Sequence, residues 1–106
     1  MMFSLSLTAR DIMINVKGRT LDNLTGENIG DVTLVLMNAD SIPIDTMVSI
    51  GPPNHPMLVG MFAFKVGEVG KYIIHASAVG YKDAYANFRV RSRREWLGRV
   101  GDLRMV

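Results

Sequence analysis

The feature that most constrains this chain is a period-two alternation of apolar and polar residues, carried by short runs that turn residues separate. Phe62, Phe64 and Val66, for example, alternate with Ala63 and Lys65. A strand sends successive side chains to opposite faces, so such a run has one apolar face and one face left for solvent. No window of about 11 residues or more keeps a helical period. The chain is thereby committed to sheets, whose apolar faces must cover one another.

The alternation predicts seven strands, at about residues 12–22, 31–38, 42–50, 57–66, 71–78, 82–91 and 101–106. Gly18 permits a bend or bulge in the first. Turn chemistry fills residues 23–30 and the stretch Asn38, Ala39, Asp40 and Ser41. Pro52, Pro53 and Pro56 exclude a ladder from the loop between the third and fourth strands. Short strands with turn signals every ~8–12 residues describe an all-β, seven-stranded antiparallel Greek-key sandwich. Its core is expected to hold Val16, Leu34, Leu36, Phe62, Phe64, Tyr72, Ile74, Phe88 and Val90. Met13, Val35, Met37, Met61 and Ile73 face away from that core, an apolar patch if they are exposed. Loops or linking residues such as Trp96 could cover some of them.

With 106 residues and no internal repeat, one core and one domain are expected. The absence of cysteine excludes a disulfide framework, a zinc-thiolate site and a thiol nucleophile. No stretch reaches about 18 consecutive apolar residues, so no helix spans a membrane. The net charge of +2 is too small to argue for nucleic acid. Arg89, Arg91, Arg93, Arg94, Arg99 and Arg104 nevertheless crowd the last eighteen residues. They read either as a solvated strand with its following loop or as a binding stripe. Residues 1–9, apolar and small with Ala9 at a cleavage position, resemble the later part of a signal peptide without its basic start. A disordered leader or a first strand is the other reading of that segment. The single domain then covers residues 10–106.

A set of short motifs resembles the carboxypeptidase regulatory-like domain, a transthyretin-like (prealbumin-like) sandwich related in fold to the B-type repeats of collagen-binding adhesins. The matching residues are Val16-Lys17-Gly18-Arg19, Thr25-Gly26-Glu27, Val32-Thr33-Leu34, Gly60-Met61-Phe62-Ala63-Phe64, Gly70-Lys71-Tyr72 and Gly80-Tyr81-Lys82. Asn28 and Asp31 depart from the family's usual Pro and Gly, and the loop over residues 47–59 is longer than usual. The resemblance implies a module of the kind found at the amino end of outer-membrane barrel proteins, including TonB-dependent transporters, in Bacteroides-type bacteria. Because fold does not fix function, that setting is analogy.

Catalytic constellations are not visible in the sequence. His55 lies in the proline loop and His75 on the outward face of the fifth strand, neither with a Ser, Asp or Glu at triad spacing. Urate-pathway hydrolases of the transthyretin fold use a His/Arg set and a Tyr-Arg-Gly-Ser terminus, which this sequence does not contain. Glu27, Glu68, Asp40 and Asp45 fall in or beside turns, where capping accounts for them, and Asp11, Asp22, Asp31 and Asp83 are scattered singly. A lysine crosslink of the adhesin type needs a buried, neutral amine, whereas alternation turns Lys17 outward. No cofactor is expected.

Tyr85, Asn87, Arg89 and Arg91 form one outward stripe of an aromatic and planar donors, a composition that interfaces favour, although an ordinary solvated face would look the same. With His55 they make up the candidate interaction surface. The sequence reading is thus a non-enzymatic, extracytoplasmic accessory domain, in the periplasm or at the outer membrane or cell surface, as the amino-terminal module of a larger outer-membrane protein. It would contact protein, not nucleic acid, and meet the membrane only through a downstream region. The alternative is a carbohydrate- or surface-ligand-binding module using the loop from Pro52 to Pro56, for which the single tryptophan is a poor endowment.

Overall fold

A computed structural model describes residues 14–53, 55–91 and 97–106. Within them lie seven strands: β1 (Ile14–Asp22), β2 (Thr33–Asn38), β3 (Pro43–Val48), β4 (Met61–Val66), β5 (Gly70–Ser77), β6 (Ala84–Val90) and β7 (Leu97–Met105). They form a three-stranded sheet in the order β4-β1-β7 and a four-stranded sheet in the order β3-β2-β5-β6. The all-β sandwich read from the alternation is the fold.

Each inward face follows the alternation. Ile14 and Val16 on β1, Leu34 and Leu36 on β2, Phe62, Phe64 and Val66 on β4, and Tyr72, Ile74 and Ala76 on β5 are all buried. Val32, Val90, Leu103 and Met105 complete the cluster, and Phe88 packs against it while staying half-buried. Phe64 is 2% exposed and meets Phe62 edge to face, with ring centroids 6.2 Å apart. Tyr72 stacks on Phe88 at 5.5 Å, and its hydroxyl donates to the Glu68 carbonyl at 2.6 Å.

Three expectations are corrected. The sandwich is not antiparallel throughout: four ladders are, but β7 runs parallel to β1. A parallel neighbour needs a crossover, and the chain makes one by leaving the four-stranded sheet after β6. The register of that pair shifts between Lys17 and Gly18. The extra residue, Val100, lies on β7, while Gly18 serves the close packing, because a Cβ there would collide with the Phe62 ring. Second, β7 begins at Leu97 instead of residue 101, because its backbone pairs with β1 from Asn15 onward. Third, β4 begins at Met61 and not at residue 57. Turn bonds from Leu58 N to His55 O (2.8 Å) and from Met61 N to Leu58 O (3.1 Å) take up that segment, which ends at Gly60 with φ of 89°. Residues 1–9, Met13 and Trp96 lie outside the described residues.

The two sheets are tied at both sides. Gly60 N donates to Ile50 O at 2.7 Å and Ile50 N to Met61 O at 3.0 Å, while Lys82 N donates to Val106 O at 2.7 Å. Between the sheets Thr20 and Ser49 are the only fully buried polar side chains among the described residues. The Thr20 hydroxyl lies 2.6 Å from Ile29 O, 3.2 Å from Ser49 Oγ and 3.2 Å from Gly60 O. Ser49 Oγ in turn accepts the Val32 N–H at 3.1 Å.

Two outcomes are expected. Phe64→Ala removes a buried ring from the middle of the core and should cost about 3–5 kcal/mol, read as a fall in the urea midpoint. An unchanged midpoint would refute the assignment of faces. Thr20→Val keeps the shape but strips a donor from the Ile29 carbonyl, and should cost about 1–3 kcal/mol in the same measurement.

Candidate functional site

β6 is the edge of the four-stranded sheet. Its register with β5 sets Tyr85 opposite His75, Asn87 opposite Ile73 and Arg89 opposite Lys71. Directly opposed residues share a face, and the next ladder carries the same rows to β2, where Val35 faces His75 and Met37 faces Ile73. The outward face of this sheet therefore has an apolar middle of Val35, Met37 and Ile73, flanked by the aromatic and cationic residues of the β5–β6 edge. These three side chains and Met61 are half-buried, so the apolar residues read as outward do not form a bare patch.

Tyr85, Asn87, Arg89 and Arg91 are all exposed, as the alternation predicted, Arg91 standing one residue past the strand. Tyr85 is 65% exposed yet held flat, because its ring stacks on His75 with centroids 4.7 Å apart and planes 13° from parallel. His75 is fixed from its other side by Asp83, whose Oδ2 lies 3.0 Å from Nε2. The aromatic is thus presented as a rigid plate, which lessens the rotamer entropy lost when a partner covers it. Further along the strand, Lys71, Ile73, Asn87 and Arg89 border a hollow of about 450 Å³, with Ala39 of the β2–β3 turn on its rim.

His55 does not join this group. It stands on the loop after β3, and β3 is the opposite edge of the same sheet from β6. Its Nδ1 accepts the Met57 N–H at 3.1 Å, so the ring organises its own loop. A second hollow, about 570 Å³, opens beside that loop between Glu27, Asn28, Pro52, Pro56 and Val59, with no aromatic in its wall.

Among the described residues the groups with displaced pKa values all hold turns in place. Asp22 is pulled below its ordinary 3.8, first by the Tyr81 hydroxyl and then by the backbone N–H groups of Thr25 and Leu24. Tyr81 donates to Asp22 Oδ2 at 2.7 Å, and that bond raises its own pKa. Burial raises Tyr72, with the Glu68 charge adding to it. Asp22 is thus a cap and a tether from the β1–β2 turn to Tyr81, 59 residues later, a role its isolated place in the sequence did not announce. Asn38 does similar work unannounced: its Oδ1 accepts the N–H groups of Asp40 (2.9 Å) and Ile42 (3.0 Å). Among the described residues no three His, Cys, Asp or Glu side chains gather as metal ligands would.

No protein-family model matches the sequence, and no curated protein matches it. Solved structures do resemble the fold. The 5-hydroxyisourate hydrolase of Klebsiella pneumoniae superposes with a TM-score of 0.53 at 17% identity, over 72% of this chain and 79% of that one. The pilus 2b backbone protein of group B streptococcus superposes with a TM-score of 0.56 at 10% identity, over 86% of this chain and 40% of that one. At such identities the likeness defines a fold, and the fold is a transthyretin-like β-sandwich.

Tyr81→Phe offers a test of the tether. The lowered pKa of Asp22 stabilises the fold above the carboxylate's unfolded value near 3.8, and this contribution is lost as the pH falls through the folded value. The variant should therefore be less stable than the parent near pH ~7, with the gap closing as the pH falls through the folded value of Asp22. Urea midpoints across the acid range measure both; a gap that persists once Asp22 is protonated would contradict the tether.

Proposed function

We propose that this chain is a non-enzymatic, extracytoplasmic accessory domain, of the carboxypeptidase regulatory-like kind, that works by contact with protein through the outward face of β5 and β6. The observation that carries the reading is the Tyr85–His75 plate, an exposed aromatic immobilised at a sheet edge near cations that have no carboxylate partner among the described residues. Rigid aromatics and arginines dominate the binding energy of protein interfaces. The displaced titrating groups favour it as well. Asp22, Tyr81 and Tyr72 spend their hydrogen bonds on turns, whereas a catalytic acid or base would direct its own into a cleft. The hydrolase of similar fold leaves this unchanged, because a shared sandwich does not carry chemistry with it.

An outer-membrane setting, as the amino-terminal module of a larger protein, fits the motif resemblance and the signal-like composition of residues 1–9. The carbohydrate alternative has less support. Sugars stack on flat aromatics, and the hollow beside the proline loop is walled by proline, valine, glycine, asparagine and glutamate.

Fractionating cells that express the gene from its own locus, followed by amino-terminal sequencing, tests the setting. The protein is expected in the envelope, beginning near Arg10. Cytosolic protein retaining Met1 would contradict it.

A further inference from the structure

We propose that the hollow bordered by Lys71, Ile73, Asn87 and Arg89 is a carboxylate-recognition site, which takes an acidic side chain of the partner protein together with the apolar residue beside it. The inference rests on the protein-contact reading and gives the partner a chemistry.

Two cations stand directly opposite each other, because the register pairs Lys71 with Arg89. Like charges so placed destabilise a sheet, whereas opposite charges there would support it. Among the described residues no carboxylate relieves them. Asp83 is engaged with His75, and Asp22 with Tyr81 and its own turn. Glu68, the acid nearest in sequence, contributes its backbone carbonyl to Tyr72 and makes no ion pair with either cation. Lys71 and Arg89 are exposed, with Arg91 following on the same side of the chain, so the excess positive charge faces outward.

The cations adjoin a shaped surface. Asn87 sits one row along from Arg89 and adds amide donors, and Ile73 opposite it gives a half-buried apolar wall. Behind them Tyr72 and Phe88 stack at 5.5 Å and keep this end of the ladder rigid. An arginine beside a lysine and an amide suits a carboxylate, which can accept from the guanidinium through both oxygens. The hollow of about 450 Å³ leaves room for more than the carboxylate, and its isoleucine wall favours an aliphatic neighbour. A free carboxylate ligand would use the donors alone. A Glu or Asp flanked by leucine or valine on a protein segment uses the whole surface, with the Tyr85 plate two rows away for further contact.

Amide chemical shifts of the whole chain, followed during titration, test the site. The probes are N-acetyl-Leu-Glu-Leu-amide, its Gln counterpart, inorganic phosphate and a duplex DNA. The Glu peptide should shift the amides of Lys71, Ile73, Asn87 and Arg89. The Gln peptide should bind at least about ten-fold more weakly, and Arg89→Gln should reduce the Glu-peptide response to the same degree. Lys71→Glu supplies the missing opposite charge. It should abolish the response while raising the melting temperature by about 2 °C at low salt. Equal binding of the Glu and Gln peptides, or no shifts at these residues, overturns the proposal. So does phosphate or DNA acting at lower concentration than the Glu peptide, which would make this a phosphate site. Shifts confined to the proline loop would end the carboxylate proposal while leaving protein contact standing; failure of envelope export would bear on the functional reading alone.

Discussion

The buried pair of Thr20 and Ser49 fixes how the two sheets meet. One hydroxyl belongs to β1 of the three-stranded sheet and the other follows β3 of the four-stranded sheet, and they face each other at 3.2 Å with no water-exposed surface between them. In so apolar an interior each polar atom needs a partner, and the pair meets this need by also engaging Ile29, Gly60 and Val32. Hydrophobic burial holds the sheets together without choosing their relative position, whereas hydrogen bonds of fixed length do choose it. Gly60 adds to the constraint. Its φ of 89° and the close approach of Thr20 O and Ile29 O leave little room for a side chain.

From that anchored end the remaining geometry follows in order. β2 sits centrally in its sheet between β3 and β5, and the ladder on to β6 carries the inward rows Leu34–Ala76–Ala84 and Leu36–Ile74–Ala86. The outward rows are set by the same register, since a slip of one residue would exchange the faces. The stacking of Tyr85 on His75 and the opposition of Lys71 and Arg89 are therefore by-products of a core register. The proposed contact surface is precise because it sits on a packed sheet and not on a loop.

Most of the fold was legible in the sequence because alternation reports faces directly. Phe62, Phe64, Leu34, Leu36 and Ile74 were assigned inward by spacing alone, and all are buried. What escaped depended on pairing between distant segments. The parallel neighbour of β1 and the Thr20–Ser49 contact are long-range choices without a local signature, and the later start of β4 follows from the turns that run from His55 to Met61. The candidate surface divides in the same way. Alternation turned Tyr85, Asn87, Arg89 and Arg91 outward correctly, yet it could not show that His75 lies under Tyr85 or that Lys71 faces Arg89. His55 was placed with them on the candidate interaction surface, while the topology sets it on the loop from the opposite edge.

The central claim is that the β5–β6 face, rather than the other side of the sandwich, is where this domain meets its partner. Site-specific photo-crosslinking in living cells addresses it most directly, with the photoreactive residue at Asn87 in one strain and at Ala63, exposed on β4 of the three-stranded sheet, in another. The account predicts a discrete adduct from position 87, mapping to an acidic and aliphatic segment of an envelope protein, and none from position 63. Adducts of equal yield from both positions, or from position 63 alone, would contradict it.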